Sequence, residues 1–158
     1  MTQLASVATC LWFDTDAEAA AHFYTSIIKN SGILRISRYG PDSGMPEGTA
    51  LTVEFMLDGV RYIALNGGPM FVLSPAVSIA VTCETQNELD RIWDAFLDDG
   101  AMPGQSGWLE DRYGMSWQIV PRQLASWFAM PGAAGRMMNA FMGMRKLDFA
   151  TLEAAARG

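Results

Sequence analysis

Few side chains in this sequence can do chemistry, and their types restrict what chemistry is possible. The only histidine is His22, so a histidine-rich metal site cannot be assembled inside one subunit, and most metalloenzyme classes fall with it. His22 lies off the apolar stripe of its segment and reads as a surface residue. Cys10 and Cys83 sit in apolar runs with no base near them in sequence, which suits small buried hydrophobes. Glu54 is the carboxylate that stands within an apolar strand-like run. In a poorly solvated interior its pKa would rise toward general-base duty, whereas facing water or a cation it would only be a charged strand residue. Gly67-Gly68-Pro69 lacks the Gly-x-Gly-x-x-Gly spacing, a following helix and a later acidic partner, so nucleotide binding is not supported. Eleven methionines suit an adaptable core or a dimer seam before a redox role.

Composition narrows the class further. The chain has 158 residues, 50% hydrophobic and 18% charged, with a formal charge of −6, which fits one compact domain over residues 1–158. Seventeen acidic against eleven basic residues disfavour a phosphate-backbone footprint, so nucleic acid is not an expected partner. Two cysteines do not make a disulfide scaffold, and a reducing cytoplasm fits best. Met1–Ser6 carries no positive targeting region, and no apolar run approaches the roughly 18 residues of a membrane span, so a cytoplasmic protein with no membrane partner is expected.

The elements that must position these side chains fall into two similar halves. Val7–Phe13 reads as a strand, Asp16 as the cap of a helix carrying Ala20, Phe23, Tyr24, Ile27 and Ile28, and Gly32 as its left-handed stop. Ile33–Tyr39 is a candidate strand, and the proline- and glycine-rich stretch 40–48 is a loop. Leu51–Leu57 and Val60–Leu65 flank Asp58-Gly59, a strong hairpin signal. The order then recurs: a strand over Val77–Cys83, a cap at Thr85, a helix with Leu89, Ile92, Trp93, Phe96 and Leu97 that ends at Gly100, a Gly-rich and Pro-containing stretch to Gly107, a strand and turn over Trp108–Gly114, and a last strand over Met115–Val120. A shift of 69 residues brings Thr9 onto Ser78 and Asp16 onto Thr85. In the tail, Leu124, Trp127 and Phe128 form an apolar patch broken by Pro131-Gly132, and a helix over Ala133–Lys146 carries Met137, Met138, Phe141, Met142 and Met144. So apolar a helix should dock on its own sheet or on a second subunit.

Several segments together resemble the PhnB-like family, also called 3-demethylubiquinone-9 3-methyltransferase-like. They are Leu11-Trp12-Phe13-Asp14 with Phe23-Tyr24, Leu65-Asn66-Gly67-Gly68-Pro69, Gly107-Trp108-Leu109 with Asp111-Arg112-Tyr113-Gly114, Ser116–Pro121, and Met144–Asp148 with Leu152–Ala155. The resemblance spans almost the whole chain. It implies the glyoxalase, bleomycin-resistance and extradiol-dioxygenase superfamily, also called vicinal oxygen chelate. The fold expected is α+β: two paired βαβββ modules, about 5–70 and 75–121, forming a curved mixed sheet with outer helices, plus a helical tail over about 122–158. A homodimer is expected with it.

In that superfamily a metal sits in the cup of the sheet, on the first and last strands of each module. Carried over by position, those ligands fall on Thr9, Ser78, Gln118 and, in the first half, Asn66 or Ala64. Hydroxyls and carboxamides are poor substitutes for imidazole or carboxylate, so no metal and no cofactor are expected. Strand alternation would send Thr9 into the cup with Val7, Leu11 and Phe13, leaving Cys10 and Trp12 toward the helices. It groups Ser78 with Ala80 and Thr82, and Thr52 with Glu54. The expected ligand pocket is lined by Thr9, Glu54, Asn66, Ser78 and Gln118, with Trp108 at its mouth; a filled, purely structural interior is the other outcome. Function then divides between a metal-free small-molecule binder and a metal-assisted or Glu54-dependent lyase, isomerase or dioxygenase acting on a small oxygenated or aromatic substrate. No Gly-rich turn supports an adenosylmethionine site.

Overall fold

The structure, a computed structural model, describes residues 6–158; the reading of Met1–Ser6 as free of a targeting region lies, Ser6 apart, outside them. The chain forms two compact units that meet in sequence at Leu73 and Ser74. Each has the expected order. In the first, β1 (Thr9–Phe13), α1 (Ala17–Ile27), β2 (Gly32–Arg38), β3 (Ala50–Leu57) and β4 (Val60–Asn66) make a four-stranded sheet in the order β1-β4-β3-β2. β1 runs parallel to β4, and the other pairs are antiparallel. In the second, β5 (Ser78–Cys83), α2 (Gln86–Asp98), β6 (Met102–Pro103), β7 (Trp108–Glu110) and β8 (Ser116–Pro121) repeat this as β5-β8-β7-β6. The architecture is thus α+β, with one mixed sheet per module and the helices that the repeat implied.

Each sheet is covered on one face by its own helix. α1 offers Ala17, Ala20, Ala21, Tyr24 and Ile27, all buried; its alanines let the backbone approach the sheet while Tyr24 meets Phe55 at 6.3 Å between ring centroids. Leu11, Phe13, Val53, Phe55 and Ala64 complete this core, each at most 3% exposed. A fully buried large apolar side chain of this kind contributes roughly 1.5–3 kcal/mol. In the second module Leu89, Ile92, Trp93 and Phe96 of α2 are buried with Leu109, Trp117 and Ile119, and Phe96 lies 4.9 Å from Trp117.

Local signals hold where backbone chemistry alone decides. Asp58 and Gly59 both take positive φ, 43° and 84°, as a tight hairpin between twisted strands requires. Thr85 caps α2 by accepting from the Glu88 amide at 3.2 Å, and Gly100 closes that helix at φ 99°. Two expected roles shift. Asp16 makes no side-chain cap bond; the Ala17 amide donates instead to Asn66 Oδ1 at 2.8 Å. The left-handed turn after α1 is made by Asn30, at φ 51°, and Gly32 already begins β2.

The tail belongs to the second unit. It contains α3 (Leu124–Phe128), α4 (Ala134–Met142) and α5 (Phe149–Arg157). α4 is shorter than the expected helix, and α5 completes the expected helical tail; Asp148 caps it, accepting from the Thr151 amide at 2.7 Å. Trp127 packs edge-on against Phe149 and Phe128 against Phe141. Leu147 between the helices is fully buried. Gln86 of α2 donates to the Leu147 carbonyl at 3.1 Å and accepts from the Phe149 amide at 2.7 Å, tying the tail to α2.

Candidate functional site

The face of each sheet away from its helix is the place to look, and register decides which side chains reach it. In the first module Glu54 pairs with Ile63, which pairs with Cys10, and Thr52 with Leu65, which pairs with Trp12. These therefore share one face. Leu11 pairs with Ala64 and Phe13 with Asn66, and these are the residues buried against α1. The sequence-based assignment of β1 is thus inverted: Thr9 has the parity of Leu11 and Phe13, on the helix side, while Cys10 and Trp12 lie on the open face. Cys10 is exposed, not a buried hydrophobe, and partial burial pushes its thiol pKa up. Cys83 is buried, as expected.

The inversion has a simple cause. Three residues, Asp14, Thr15 and Asp16, join β1 to α1, but only Glu84 and Thr85 join β5 to α2. A shift of 69 residues that superposes the helices leaves the strands one residue out of step, and one residue flips every side chain to the other face. Ladder pairing makes Phe13 with Asn66 equivalent to Cys83 with Pro121. Thr9 then corresponds to Ile79, and Gln118 corresponds to Ile63, neither Asn66 nor Ala64.

Asn66 is a fastener. Its side chain is buried; Oδ1 caps α1 and Nδ2 donates to the Ala50 carbonyl at 2.9 Å. The carboxamide is spent on backbone, which removes it from the expected pocket lining.

Glu54 is buried at 6% exposure, and the company it keeps overturns the expectation of a raised pKa. Arg35 Nη2 donates to one carboxylate oxygen and Arg61 Nη2 to the other, the latter at 2.7 Å. Hydrogen bonds from Arg61 and then Arg35 outweigh burial and hold the carboxyl below its ordinary value. Held ionised by two arginines, the carboxylate is a weak proton acceptor. One row along, Ser37 and Thr52 hydrogen-bond to each other.

The second module carries the neutral set. Ser78, Ala80 and Thr82 of β5 share the open face with Ser116, Gln118 and Val120 of β8 and with Trp108, the ladder partner of Gln118. Gln118 Nε2 donates to Ser78 Oγ at 2.9 Å, and Gln118, Ser78 and Trp108 are half-buried. Here the expected grouping stands, because β5 was read in its true register. A shallow cavity of about 270 Å³ also lies at the end of the first sheet, between Asn30–Leu34 and Met56; it contains none of the expected residues.

Asp111 and Trp12 have structural roles. Asp111 is 4% exposed and accepts from the amides of Tyr113 and Met115 and from Trp117 Nε1, each at 2.9 Å; the Asp-Arg-Tyr-Gly segment is a turn lock. Trp12 donates from its indole to the Gly68 carbonyl at 2.9 Å and covers Gly67. His22 is on the surface, 4.0 Å from Glu18.

Comparison with known proteins agrees with this architecture. None of the curated proteins matches the chain. A Bacillus cereus protein described as a 3-demethylubiquinone-9 3-methyltransferase, PhnB protein, is 38% identical, with 74% of this chain and 98% of that one covered at a TM-score of 0.66. A Pseudomonas aeruginosa protein superposes at a TM-score of 0.59 with 16% identity, over 74% and 96% of the two chains. The fosfomycin resistance protein FosX of Listeria monocytogenes does so at 0.50 with 16% identity, over 74% and 89%; at such identity these two attest the fold alone. The sequence itself matches the 3-demethylubiquinone-9 3-methyltransferase family over residues 5–120, a shorter span than the motifs in the tail suggested. With the paired modules, that match means the chain belongs to the PhnB-like family of the glyoxalase and bleomycin-resistance superfamily.

Proposed function

We propose that this chain binds a small organic metabolite on the open face of its second module, without the metal of its superfamily and without a cofactor, as a homodimer in the cytoplasm. The observation that carries the reading is the Gln118–Ser78 pair. Two neutral, half-buried groups are tied to each other beside Trp108, with Ala80 and Val120 as apolar neighbours. Gln118 keeps its carboxamide oxygen and a second N–H, and Ser78 keeps its hydroxyl proton, for a third molecule. Apolar enclosure with a few orienting polar groups is what a small-molecule site requires.

The donor set does not fit a transition metal. On the strands that hold the superfamily's metal, the open faces present Cys10 and Trp12, then Arg61, Ile63 and Leu65, then Ser78, Ala80 and Thr82, then Ser116, Gln118 and Val120. Only the thiol of Cys10 is an ordinary ligand type, and burial raises its pKa. No group of three His, Cys, Asp or Glu among the described residues could hold an ion. Methyl transfer, which the family name mentions, also lacks support: β1 enters α1 through Asp14-Thr15-Asp16, with two carboxylates where a dinucleotide-type turn has glycines. Two free cysteines suit a reducing compartment.

The test is a thermal-shift screen of small oxygenated and aromatic metabolites against wild type and Gln118→Leu, with elemental analysis of protein purified without chelator. Ligands whose stabilisation falls in Gln118→Leu support the reading. Stoichiometric zinc, iron, nickel or manganese would overturn its metal-free part, and equal shifts in both proteins would move the site elsewhere.

A further inference from the structure

We infer that the open face of the first module is a separate receptor for an oxyanion, a carboxylate or phosphate group, held by the guanidinium of Arg35 on a platform made by Glu54 and Arg61. The site is on a different sheet from the Gln118 face and stands or falls apart from it.

One carboxylate, Glu54, is shared by two guanidiniums, each on its own oxygen. The two differ in access: the Arg61 side chain is 18% exposed and the Arg35 side chain 73%. Arg35 uses one Nη2 hydrogen bond on Glu54. The rest of its five-donor planar fork is open to an acceptor of matching geometry, and carboxylate and phosphate are such acceptors. Anchoring one nitrogen to a buried carboxylate also removes part of the rotamer freedom that an arginine otherwise loses on binding.

A second donor stands close by. Ser37 lies two residues from Arg35 on β2, in the row where it pairs with Thr52, and the two hydroxyls share one hydrogen bond. Two hydroxyls have two protons, and the pair consumes one. The other is left for an oxygen near the Arg35 row. Ile63 and Leu65 of β4 border the same rows, giving an organic anion apolar surface.

The same strand contains its own control. Arg38 donates through both terminal nitrogens to Glu18, at 2.9 and 2.8 Å, and again to the Gly48 carbonyl. Its fork is occupied, so it should attract an added anion poorly although it carries the same charge.

The experiment titrates full-length protein with inorganic phosphate and, separately, with acetate at constant ionic strength, following the backbone amide resonances of residues 35–37. Expected is a saturable shift with at least one of the two anions, weakened about tenfold or more in Arg35→Gln and unchanged in Arg38→Gln; which anion binds more tightly identifies the class. Should Arg35→Gln lose its folded circular dichroism, Arg35→Lys decides, since it keeps the charge and loses the fork: a loss of affinity of about threefold or more supports the site. No saturation with either anion, equal losses in the Arg35 and Arg38 variants, or unaltered binding without the Arg35 fork would overturn it. Gln118→Leu should leave the phosphate and acetate titrations unchanged.

Discussion

Glu54 shows how far the neighbourhood of one carboxylate decides what it does. An apolar strand context argued for a proton acceptor, yet two arginines more than compensate for burial and lower its pKa. With a folded pKa below the ordinary 4.5, the ionised group favours the folded state above that value, and this stability is lost as pH falls through the folded pKa. Chemical denaturation from neutral pH down through the acid range should therefore show wild type losing an increment that Glu54→Gln does not lose. At neutral pH Glu54→Ala, which leaves the half-buried Arg61 without this counter-charge, should destabilise by about 3 kcal/mol. Asp111 is the matching case in the second module. Asp111→Ala orphans two backbone amides and the Trp117 indole N–H, so a loss of about 3 kcal/mol or more is expected in urea melts followed by tryptophan fluorescence.

At the level of elements, strand, helix and three strands were legible in the first half, and in the second all but β6, which has two residues, because periodicity, the Asp58-Gly59 turn and the Thr85 cap are local. The face of β1 was not, because it depends on one extra residue between strand and helix, and nothing local to Thr9 records that. Asn66 was misjudged for a related reason: its capping of α1 spans 49 residues of sequence, and residue type alone cannot reveal a distant cap. The grouping on β5 and β8 was readable since parity there needed no comparison between halves. α5 falls inside the expected helical tail, and Asp148 marks its start by capping the Thr151 amide. The β4 exit offers an element-scale test. A Cβ on Gly67 would lie 2.3 Å from the Trp12 ring, an overlap only a shift of the indole can relieve. Gly67→Ala should cost about 1–3 kcal/mol in thermal melts and alter indole fluorescence as the Trp12–Gly68 hydrogen bond breaks.

For the whole molecule, the two modules have diverged in chemistry while keeping one topology. The first presents a charged cluster on its open face and the second a neutral hydrogen-bonded pair. The tail extends past the residues matched to the family and is fixed to α2 through Gln86 and the buried Leu147. That docking accounts for only part of its apolar surface. Met137 is buried, whereas Met138 and Met142, one turn apart on α4, are 49% and 57% exposed. Methionine adapts to an apolar partner at little conformational cost, and a second copy of this chain is the partner proposed here. Light scattering at micromolar concentration should then give twice the 17.3 kDa chain mass, and Met138→Glu with Met142→Glu should shift it toward one chain while circular dichroism stays unchanged. A wild-type mass equal to one chain would leave these methionines as plain surface and remove the dimer.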